Sequence, residues 1–151
     1  MIKIICVGKI KEKFFKEAIQ EYEKRLSKYT KINIIEVEDV NLDNETLIKK
    51  KEAEQILKHI EQKDYIITLE IEGKQLTSVE LSKKIQELEI TNPNITFIIG
   101  GSYGLDEQIK NKSNYKLSFS KLTFPHQLFR VILLEQIYRA YKIKNNESYH
   151  K

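Results

Sequence analysis

The sequence contains few of the residues that cross-link or interrupt a chain. Its 151 residues include one Cys, two Pro, five Gly and no Trp. The single Cys6 cannot form an internal disulfide and has no His or Cys nearby in a metal-binding spacing, so we expect a reducing compartment, the cytoplasm, and no metal. The scarcity of Gly and Pro excludes collagen-like repeats and flexible linkers.

Long apolar stretches are also missing. No run approaches the roughly 20 apolar residues of a membrane-spanning helix, and the apolar run Ile2–Val7 is too short for the core of a signal peptide. Apolar residues make up 40% of the chain and charged residues 32%, a balance typical of a folded globular protein. The length suits one domain, so we predict a single domain over residues 1–151 and no membrane partner.

The net charge of +4 is unevenly distributed along the chain. Residues 107–151 carry nine Lys or Arg against three acids, a net +6, which leaves −2 for residues 1–106. This asymmetry predicts an electropositive surface in the last third, suitable for a polyanion such as nucleic acid. A solvated charged surface without any partner explains the same count equally well.

Apolar runs and amphipathic segments alternate along the chain. We expect the third strand to end at Gly73, and we expect a Thr77–Glu80 capping box and Pro125 to begin two of the helices. The alternation predicts an α/β fold with a mostly parallel sheet, helices on both faces and ligands beyond the carboxyl ends of the strands. The predicted strands cover about 2–7, 32–37, 64–71, 95–99 and 115–119, and the predicted helices cover about 12–29, 44–62, 77–88, 105–110 and 126–142.

Two segments carry candidate binding chemistry. Three of the five glycines lie within 100–104, directly after a predicted strand, where small residues let a backbone approach a ligand. A tight turn without a ligand explains the same pattern, and the spacing matches neither a dinucleotide fingerprint nor a P-loop. The second segment, 119–124, is an apolar loop that must be covered by packed protein or by a flat ligand. His126 beside it is more often a helix-capping residue than a catalyst.

The last predicted helix is apolar on nearly every side. Ten of the fourteen residues in 128–141 are apolar, and little protein follows to cover a second face, so we predict a homodimer. Glu135 and Arg139 are spaced for an ion pair and share one sector of the helix with Lys142. The tail ends in Tyr149 and His150, which are unusual residues for a frayed terminus.

Taken together and in this order, these segments resemble one family. The pieces are ITLEIEGK at 67–74, FIIGGSYG at 97–104, LSFSKLTFPHQLFRVILLEQIYRAYKI at 117–143 and the terminal Tyr-His-Lys. They are similar to the ribosomal RNA large subunit methyltransferase H family, whose members are pseudouridine N3 methyltransferases of the SPOUT superfamily. The similarity runs from Val7 to the last residue.

The resemblance implies a fold, a cofactor and a substrate. It implies a C-terminal trefoil knot in the α/β sheet, a homodimer, and S-adenosyl-L-methionine as methyl donor without a metal. The substrate would be a pseudouridine in a hairpin of 23S ribosomal RNA, methylated on the assembled ribosome. By position in the family pattern, the cofactor-binding residues would be Leu69, Gly100, Gly101, Phe119, Ser120, Lys121, Leu122, Thr123 and Phe124.

The resemblance also assigns catalysis and RNA binding to the last helix and the tail. Ser102 and Tyr103 stand where some members carry Pro-Glu, so no role carries over to them. Two other functions stay open: a non-enzymatic RNA-binding or ribosome-associated α/β module, and a small-molecule enzyme with a flavodoxin-like sheet. The catalytic residues would be His150 as base, Arg139 as the cation that stabilises the anion, Glu135 as the group that orients Arg139, and Tyr149; the RNA-binding residues would be Arg130, Arg139 and Lys142.

Overall fold

Ten elements of secondary structure alternate along the chain in the computed structural model, which describes all residues 1–151. The five strands and five helices predicted from the sequence are all present, with ends that differ by a few residues. The predicted capping box of Thr77 and Glu80 begins the third helix. The elements are β1 (Ile2–Val7), α1 (Lys13–Leu26), β2 (Ile32–Val37), α2 (Glu45–Leu57), β3 (Asp64–Gln75), α3 (Ser78–Thr91), β4 (Asn94–Ile99), α4 (Glu107–Lys112), β5 (Tyr115–Ser118) and α5 (His126–Lys144).

The five strands form one parallel sheet in the order β2-β1-β4-β3-β5. Its two faces bury separate cores, because α1, α3 and α5 cover one face and α2 and α4 cover the other. Successive side chains of β1 point to opposite faces, so Ile4 and Cys6 enter the first core whereas Ile5 and Val7 enter the second. The predicted fold class, an α/β fold with a mostly parallel sheet and helices on both faces, is confirmed.

The prediction that Gly73 ends the third strand is wrong. β3 continues through Gly73 to Gln75, and its pairing with β5 shifts so that Leu69 and Lys74 both lie opposite Leu117. A Cβ atom on Gly73 would lie 2.7 Å from the carbonyl oxygen of Lys116. Glycine is required at this position because the β5 backbone passes too close for a side chain, a tertiary contact that the local sequence does not reveal.

Helix α5 is covered by its own chain on more sides than the sequence suggests. Leu133, Leu134 and Ile137 are fully buried in the core that α5 shares with α1, α3 and the sheet. The fold of one chain therefore explains why these residues are apolar, and they are no argument for a dimer. The homodimer stays a prediction. No helix, α5 included, has both the length and the apolarity that crossing a membrane requires.

A buried ion pair joins the amino-terminal ends of three strands. Lys3 Nζ lies 2.7 Å from Asp64 Oδ2 and donates to the carbonyl oxygen of His59 at 2.9 Å. Asn94 donates to Asp64 Oδ1 at 2.9 Å, so β1, β3 and β4 are linked. Burial would raise the pKa of Asp64, but hydrogen bonds from the Glu61 backbone N–H, Lys3 and Asn94 outweigh it and hold that pKa below its usual value.

We predict that Lys3→Met lowers the free energy of unfolding at neutral pH by about 3 kcal/mol, because it leaves the buried Asp64 charge without its cation. A carboxylate whose pKa is lowered by folding stabilises the folded state above its unfolded pKa, about 4, and loses that contribution as the pH falls through the folded pKa. The deficit of the variant should therefore shrink in acid. Urea denaturation followed by circular dichroism at neutral and acid pH measures it.

The matched control for this prediction is Lys63→Met. Lys63 is an exposed partner of Glu61, 3.7 Å away, and its loss should cost less than about 0.5 kcal/mol. Equal losses of stability for the two variants would show that the Lys3 pair is no more important than a surface pair.

Candidate active site

One cavity of about 160 Å³ opens at the carboxyl edge of the sheet, where β4, β3 and β5 lie side by side. Its walls come from residues 69–71 of β3, the glycine turn 100–104 after β4, the loop between β5 and α5, and the first turn of α5. Parallel α/β sheets bind ligands beyond the carboxyl ends of their strands. The cavity lies where that rule places a ligand.

The cavity has apolar walls and an apolar rim. Phe119 and Phe124 both pack against Phe129, with ring centroids 5.0 Å and 6.0 Å from it. Leu122 and Ile71 border the same cavity and are 71% and 48% exposed. Exposed apolar side chains around one cavity are typical of a ligand site, because a bound ligand removes them from water.

The glycine turn forms one wall with its backbone. Gly104 has φ +83° and donates its N–H to the carbonyl oxygen of Gly101 at 3.0 Å. A Cβ atom on Gly100 would lie 2.9 Å from the carbonyl carbon of Gly104. The turn therefore requires glycine at both ends, and it brings main-chain groups close to the cavity.

Polar side chains in the lining include one carboxylate. The Glu70 carboxylate accepts a hydrogen bond from Thr68 Oγ1 at 2.6 Å and lies 3.9 Å from Lys110 Nζ. Ser120 Oγ accepts from the backbone N–H of Leu122 at 3.0 Å, which shapes the loop between β5 and α5. The cavity thus combines an apolar surface for a flat ring with a carboxylate able to bind a hydroxyl group or a cation.

Eight of the nine residues predicted to bind the cofactor border this cavity, and Lys121 is the exception. Glu70 and Ile71 follow Leu69 directly, and His126 lies two residues after the apolar loop. Their nearness to predicted cofactor residues could have indicated that they border the cavity. Phe129 lies one helical turn after His126, so the two residues share a face of α5. This face could be linked to the cavity only after the structure had placed the start of α5 there. The lining residues that the sequence analysis did not assign are Glu70, Ile71, Ile99, Gly104, Leu117, Ser118, His126 and Phe129.

The four residues predicted to be catalytic form a separate cluster near the carboxyl-terminal end of α5. Glu135 Oε1 accepts hydrogen bonds from Arg139 Nε at 3.0 Å and from Tyr149 Oη at 3.0 Å. Arg139 Nη1 lies 3.1 Å from His150 Nδ1, and its guanidinium lies over the Tyr149 ring, 4.7 Å from the centroid. The fold therefore brings together two helix residues and two tail residues in one network.

This network presents hydrogen-bond donors to solvent. The hydrogen bond to Glu135 raises the pKa of Arg139 further above its ordinary value, so Arg139 stays cationic. Burial, followed by the hydrogen bond to Glu135, raises the pKa of Tyr149 to about 12. Arginine has no acceptor atom, so a neutral His150 must accept at Nδ1 and carry its proton on Nε2. The exposed groups of the cluster are the N–H donors of Arg139 and His150.

A chain of hydrogen bonds connects Glu135 to α3. Gln136 Nε2 donates to Glu135 Oε2 at 2.9 Å, and Gln136 Oε1 accepts from Ser78 Oγ at 2.7 Å. Gln136 and Ser78 line a second cavity of about 260 Å³, which shares Phe119 and Phe124 with the first. The orientation of Glu135 therefore depends on how α3 packs against α5 and the loop before it.

The tail after α5 is docked on the chain. Glu147 accepts hydrogen bonds from Tyr29 Oη at 2.7 Å and from Lys142 Nζ at 3.0 Å. These hydrogen bonds, the one from Tyr29 first, lower the pKa of Glu147. Tyr149 packs edge-on against Tyr138, with centroids 5.0 Å apart. Docking of the tail is what places the terminal imidazole beside the guanidinium of α5.

The predicted RNA-binding residues do not share one surface. Arg130 is 1% exposed, and its guanidinium pairs with Glu36 and donates to the carbonyl oxygen of Gly8 at 3.1 Å. These contacts tie α5 to the ends of β1 and β2, so Arg130 binds protein groups and offers no free surface to RNA. Arg139 belongs to the cluster with Glu135, Tyr149 and His150, which we call the Arg139 cluster, and Lys142 is held by Glu147 of the tail. The assignment of Arg139 and Lys142 to RNA stays a prediction.

The cavity and the Arg139 cluster lie toward opposite ends of α5. His126 borders the cavity at the start of the helix, and Arg139 follows 13 residues later. At ~1.5 Å per residue this spacing corresponds to roughly 20 Å along the helix axis. Ligand atoms beside His126 are therefore out of reach of Arg139 in the same chain.

Known proteins are similar to this chain over its full length. A family model described as Predicted SPOUT methyltransferase matches residues 1–150. A Clostridium botulinum (strain Kyoto / Type A2) protein named Ribosomal RNA large subunit methyltransferase H is 57% identical, and the match covers 99% of each chain. A relative from Methanococcus vannielii is 56% identical with the same coverage. Among solved structures, a probable methylase family protein from Haemophilus influenzae Rd KW20 shares the fold, with TM-score 0.59, 13% identity, and coverage of 99% of this chain and 70% of that one.

We predict that Glu147→Gln loosens the tail, because it removes the charge that Tyr29 and Lys142 bind. Exchange of the Glu147 backbone amide, which donates to the carbonyl oxygen of Lys142 at 3.0 Å, should accelerate by roughly tenfold. Since docking lowers the pKa of Glu147, its contribution is complete above the unfolded pKa, about 4.3, and is lost as the pH falls through the folded pKa. Hydrogen exchange measured by mass spectrometry tests both statements.

Glu89→Gln is the matched control for the tail. Glu89 of α3 accepts hydrogen bonds from Tyr141 and Lys144 of α5. Its substitution should leave hydrogen exchange of the Glu147 amide unchanged. Exchange of the Glu147 amide at the rate of an unprotected amide in the wild-type protein would contradict a docked tail.

Proposed function

The chain belongs to the SPOUT methyltransferase family and, within it, to the ribosomal RNA large subunit methyltransferase H family, and we propose that it methylates N3 of a pseudouridine in a hairpin of 23S ribosomal RNA. We propose S-adenosylmethionine as the methyl donor and the ribosome in the cytoplasm as the substrate. The observation that carries this proposal is the cavity, which eight residues in the family's cofactor positions border.

The cavity suits S-adenosylmethionine in its chemistry. Leu69, Leu122 and Phe124 would enclose the adenine, and the glycine turn would offer backbone groups without side chains. Glu70 is the carboxylate of the lining, suited to the ribose hydroxyls or to a positively charged ligand. When bound, this cofactor supplies a methyl group that carries its own leaving group, so the transfer needs neither a metal nor a covalent enzyme intermediate.

Methylation at N3 requires loss of the imide proton, and the cluster around Arg139 favours the resulting anion. Glu135 fixes the direction of Arg139, so positive charge is held where negative charge develops. With Nδ1 of His150 beside Arg139, Nε2–H is a second donor for a carbonyl oxygen next to N3. The pKa of Tyr149 is raised to about 12, so its hydroxyl stays protonated at neutral pH and cannot accept the N3 proton. This arrangement supports anion stabilisation by two donors, with the N3 proton passing to water.

A second copy of the chain would complete the site. Because roughly 20 Å of helix separates His126 from Arg139 within one chain, the cluster of one subunit would serve the cavity of its partner. Leu128, Val131 and Ile132 of α5 are partly exposed and would supply apolar contact for that pairing. The trefoil knot that the family implies would hold the glycine turn and the loop between β5 and α5 against each other.

We predict that Leu122→Ala weakens S-adenosylmethionine binding by roughly tenfold or more, because covering a leucine contributes about 1.5–3 kcal/mol. Leu122 is 71% exposed, so the variant should fold as stably as the wild type. Isothermal titration calorimetry gives the dissociation constants. Ile90→Ala, at an 82% exposed position on α3, is the control and should bind like the wild type. Equal affinities in both variants would rule out the proposed adenine contact.

We predict that the wild-type protein transfers methyl groups to ribosomes. We also predict that His150→Ala lowers turnover by ~100-fold, the usual effect of losing one donor to a developing oxyanion. If His150 donates, turnover of the variant still rises with pH as N3 ionises, whereas loss of a base would flatten that rise. Radiolabelled methyl transfer and mass spectrometry of the 23S RNA measure rate and position. Lys151→Ala should retain the wild-type rate. Ribosomes left unmethylated at the pseudouridine by the wild-type protein would overturn the proposed function.

Mixing two inactive variants tests whether subunits share the site. Leu122→Asp damages the cavity and His150→Ala damages the cluster, so each homodimer should be nearly inactive. A random mixture contains heterodimers with one intact cavity facing one intact cluster, and activity should recover to about a quarter of the wild-type value. No recovery after subunit exchange would place cavity and cluster of one chain in the same site.

A further inference from the structure

A lysine-rich surface beside the cavity belongs neither to the cavity lining nor to the Arg139 cluster. Four lysines and a single acid, Glu12, occur within residues 9–16. The overall charge count hides this segment, because residues 1–106 are net acidic. We call it the β1–α1 surface and define it by the exposed residues Lys9, Lys11, Lys13, Phe14 and Lys16.

The ammonium groups of this surface are available to an external anion. Lys9, Lys11 and Lys16 form no salt bridge in the structure, and Lys13 lies 3.8 Å from Glu17 with its side chain 90% exposed. An exposed pair at that distance contributes little free energy, so an anion of higher charge can replace it.

Backbone contacts hold the β1–α1 surface next to the cavity. Gly8 has φ +93°, and a Cβ atom there would lie 3.5 Å from Nε2 of His126, which borders the cavity. The backbone N–H of Lys11 donates to Gln127 Oε1 at 3.4 Å. Lys9 follows Gly8 at ~3.8 Å along the backbone, so its flexible side chain starts close to the cavity mouth.

The buried guanidinium of Arg130 keeps the loop in this position. It donates to the carbonyl oxygen of Gly8 at 3.1 Å and pairs with Glu36, and Glu36 accepts from the backbone N–H of Ile10 at 3.0 Å. The loop before Lys11 is therefore held at the Gly8 carbonyl and at the Ile10 N–H, so the lysines extend from a fixed backbone.

Phe14 gives the same surface an aromatic ring. It is 62% exposed, and its one aromatic contact is with Phe15, at 4.4 Å between centroids. A single exposed apolar residue is ordinary. An exposed ring among four lysines, however, has the composition of surfaces that bind single-stranded RNA, where rings stack on unpaired bases and ammonium groups neutralise phosphates.

We propose that the β1–α1 surface binds the RNA strand that flanks the methylated nucleotide, with its lysines on phosphates and Phe14 stacked on an unpaired base. The inference rests on the proposed function, which supplies the RNA. Charge favours RNA over a second copy of the chain, because an isologous contact would set these four lysines against the same four in the partner.

The test uses the full chain with Lys9→Gln, Lys11→Gln and Lys16→Gln combined. KM for ribosomes should rise by roughly tenfold or more with kcat little changed, because phosphate contacts contribute to binding. The slope of log binding constant against log salt should fall by about 2, since each lost contact to a single strand removes about 0.7. Calorimetry should show unchanged S-adenosylmethionine affinity.

A triple variant on α2 is the matched control. Lys49→Gln, Lys50→Gln and Lys51→Gln make the same change of charge on the other face of the sheet, and KM and salt slope should stay at the wild-type values. Equal effects of the two triple variants would show a response to net charge alone and would overturn the inference.

Phe14 is tested separately by two substitutions. Phe14→Ala should raise KM by roughly tenfold, the effect of losing one stacked base, and Phe14→Tyr should restore it because the ring remains. Sedimentation of both variants should match the wild type. A change from dimer to monomer in Phe14→Ala would assign the ring to a protein contact and overturn its proposed role.

Methyl transfer by the wild-type protein separates a wrong surface assignment from a wrong proposed function. If the wild-type protein methylates ribosomes and the β1–α1 triple variant keeps the wild-type KM and salt slope, the surface inference alone is wrong. If the wild-type protein does not methylate ribosomes, the inference is tested by comparing how the wild type and the β1–α1 triple variant bind a 23S RNA hairpin. An unchanged salt slope there overturns it, and a slope reduced by about 2 supports it.

Discussion

The pairing of β5 with β3 is the contact on which the candidate site depends. β5 has four residues and lies at the edge of the sheet. It approaches β3 so closely that position 73 tolerates no Cβ atom, and the shift in pairing sets Leu117 opposite both Leu69 and Lys74. This approach carries the loop after β5 to the end of the β3–β4 pairing, where the glycine turn also lies. The three segments then border one cavity.

The elements could be predicted from the sequence because their signals are local. Runs such as Ile2–Val7 form strands from β-branched apolar residues, and Thr77 with Glu80 begins a helix by hydrogen bonds within one turn. The role of Gly73 could not be predicted, since it depends on a strand more than 40 residues later. The same reason applies to the covering of α5, which α1 and α3 supply from distant parts of the chain. Half of the residues that line the cavity lie in the glycine turn 100–104 and the loop 119–124, which their composition marked as candidate binding segments, and the family resemblance added Leu69 and the identity of the cofactor.

Arg130 and Arg139 show how the fold separates two residues of one type on one helix. They lie nine residues apart, and at ~100° per residue they point in nearly opposite directions. Arg130 is directed into the protein, where Glu36 and the Gly8 carbonyl bind it while its Nε lacks a partner. Arg139 is directed outward to Glu135, Tyr149 and His150. Family position alone assigned both to RNA, and only burial distinguishes the structural Arg130 from Arg139, which is predicted to be catalytic.

These placements would let the proposed dimer hold a hairpin on more than one surface. In the proposed dimer, the cavity of one subunit would lie between its own β1–α1 surface and the Arg139 cluster of its partner. Positive charge would then lie on both sides of the target nucleotide. The charge count along the sequence pointed to the last third only, since summing over 106 residues cancels the lysines of the loop after β1. The distribution in space matters more than the sum, because Coulomb attraction to a phosphate falls off within about 10 Å at ordinary salt.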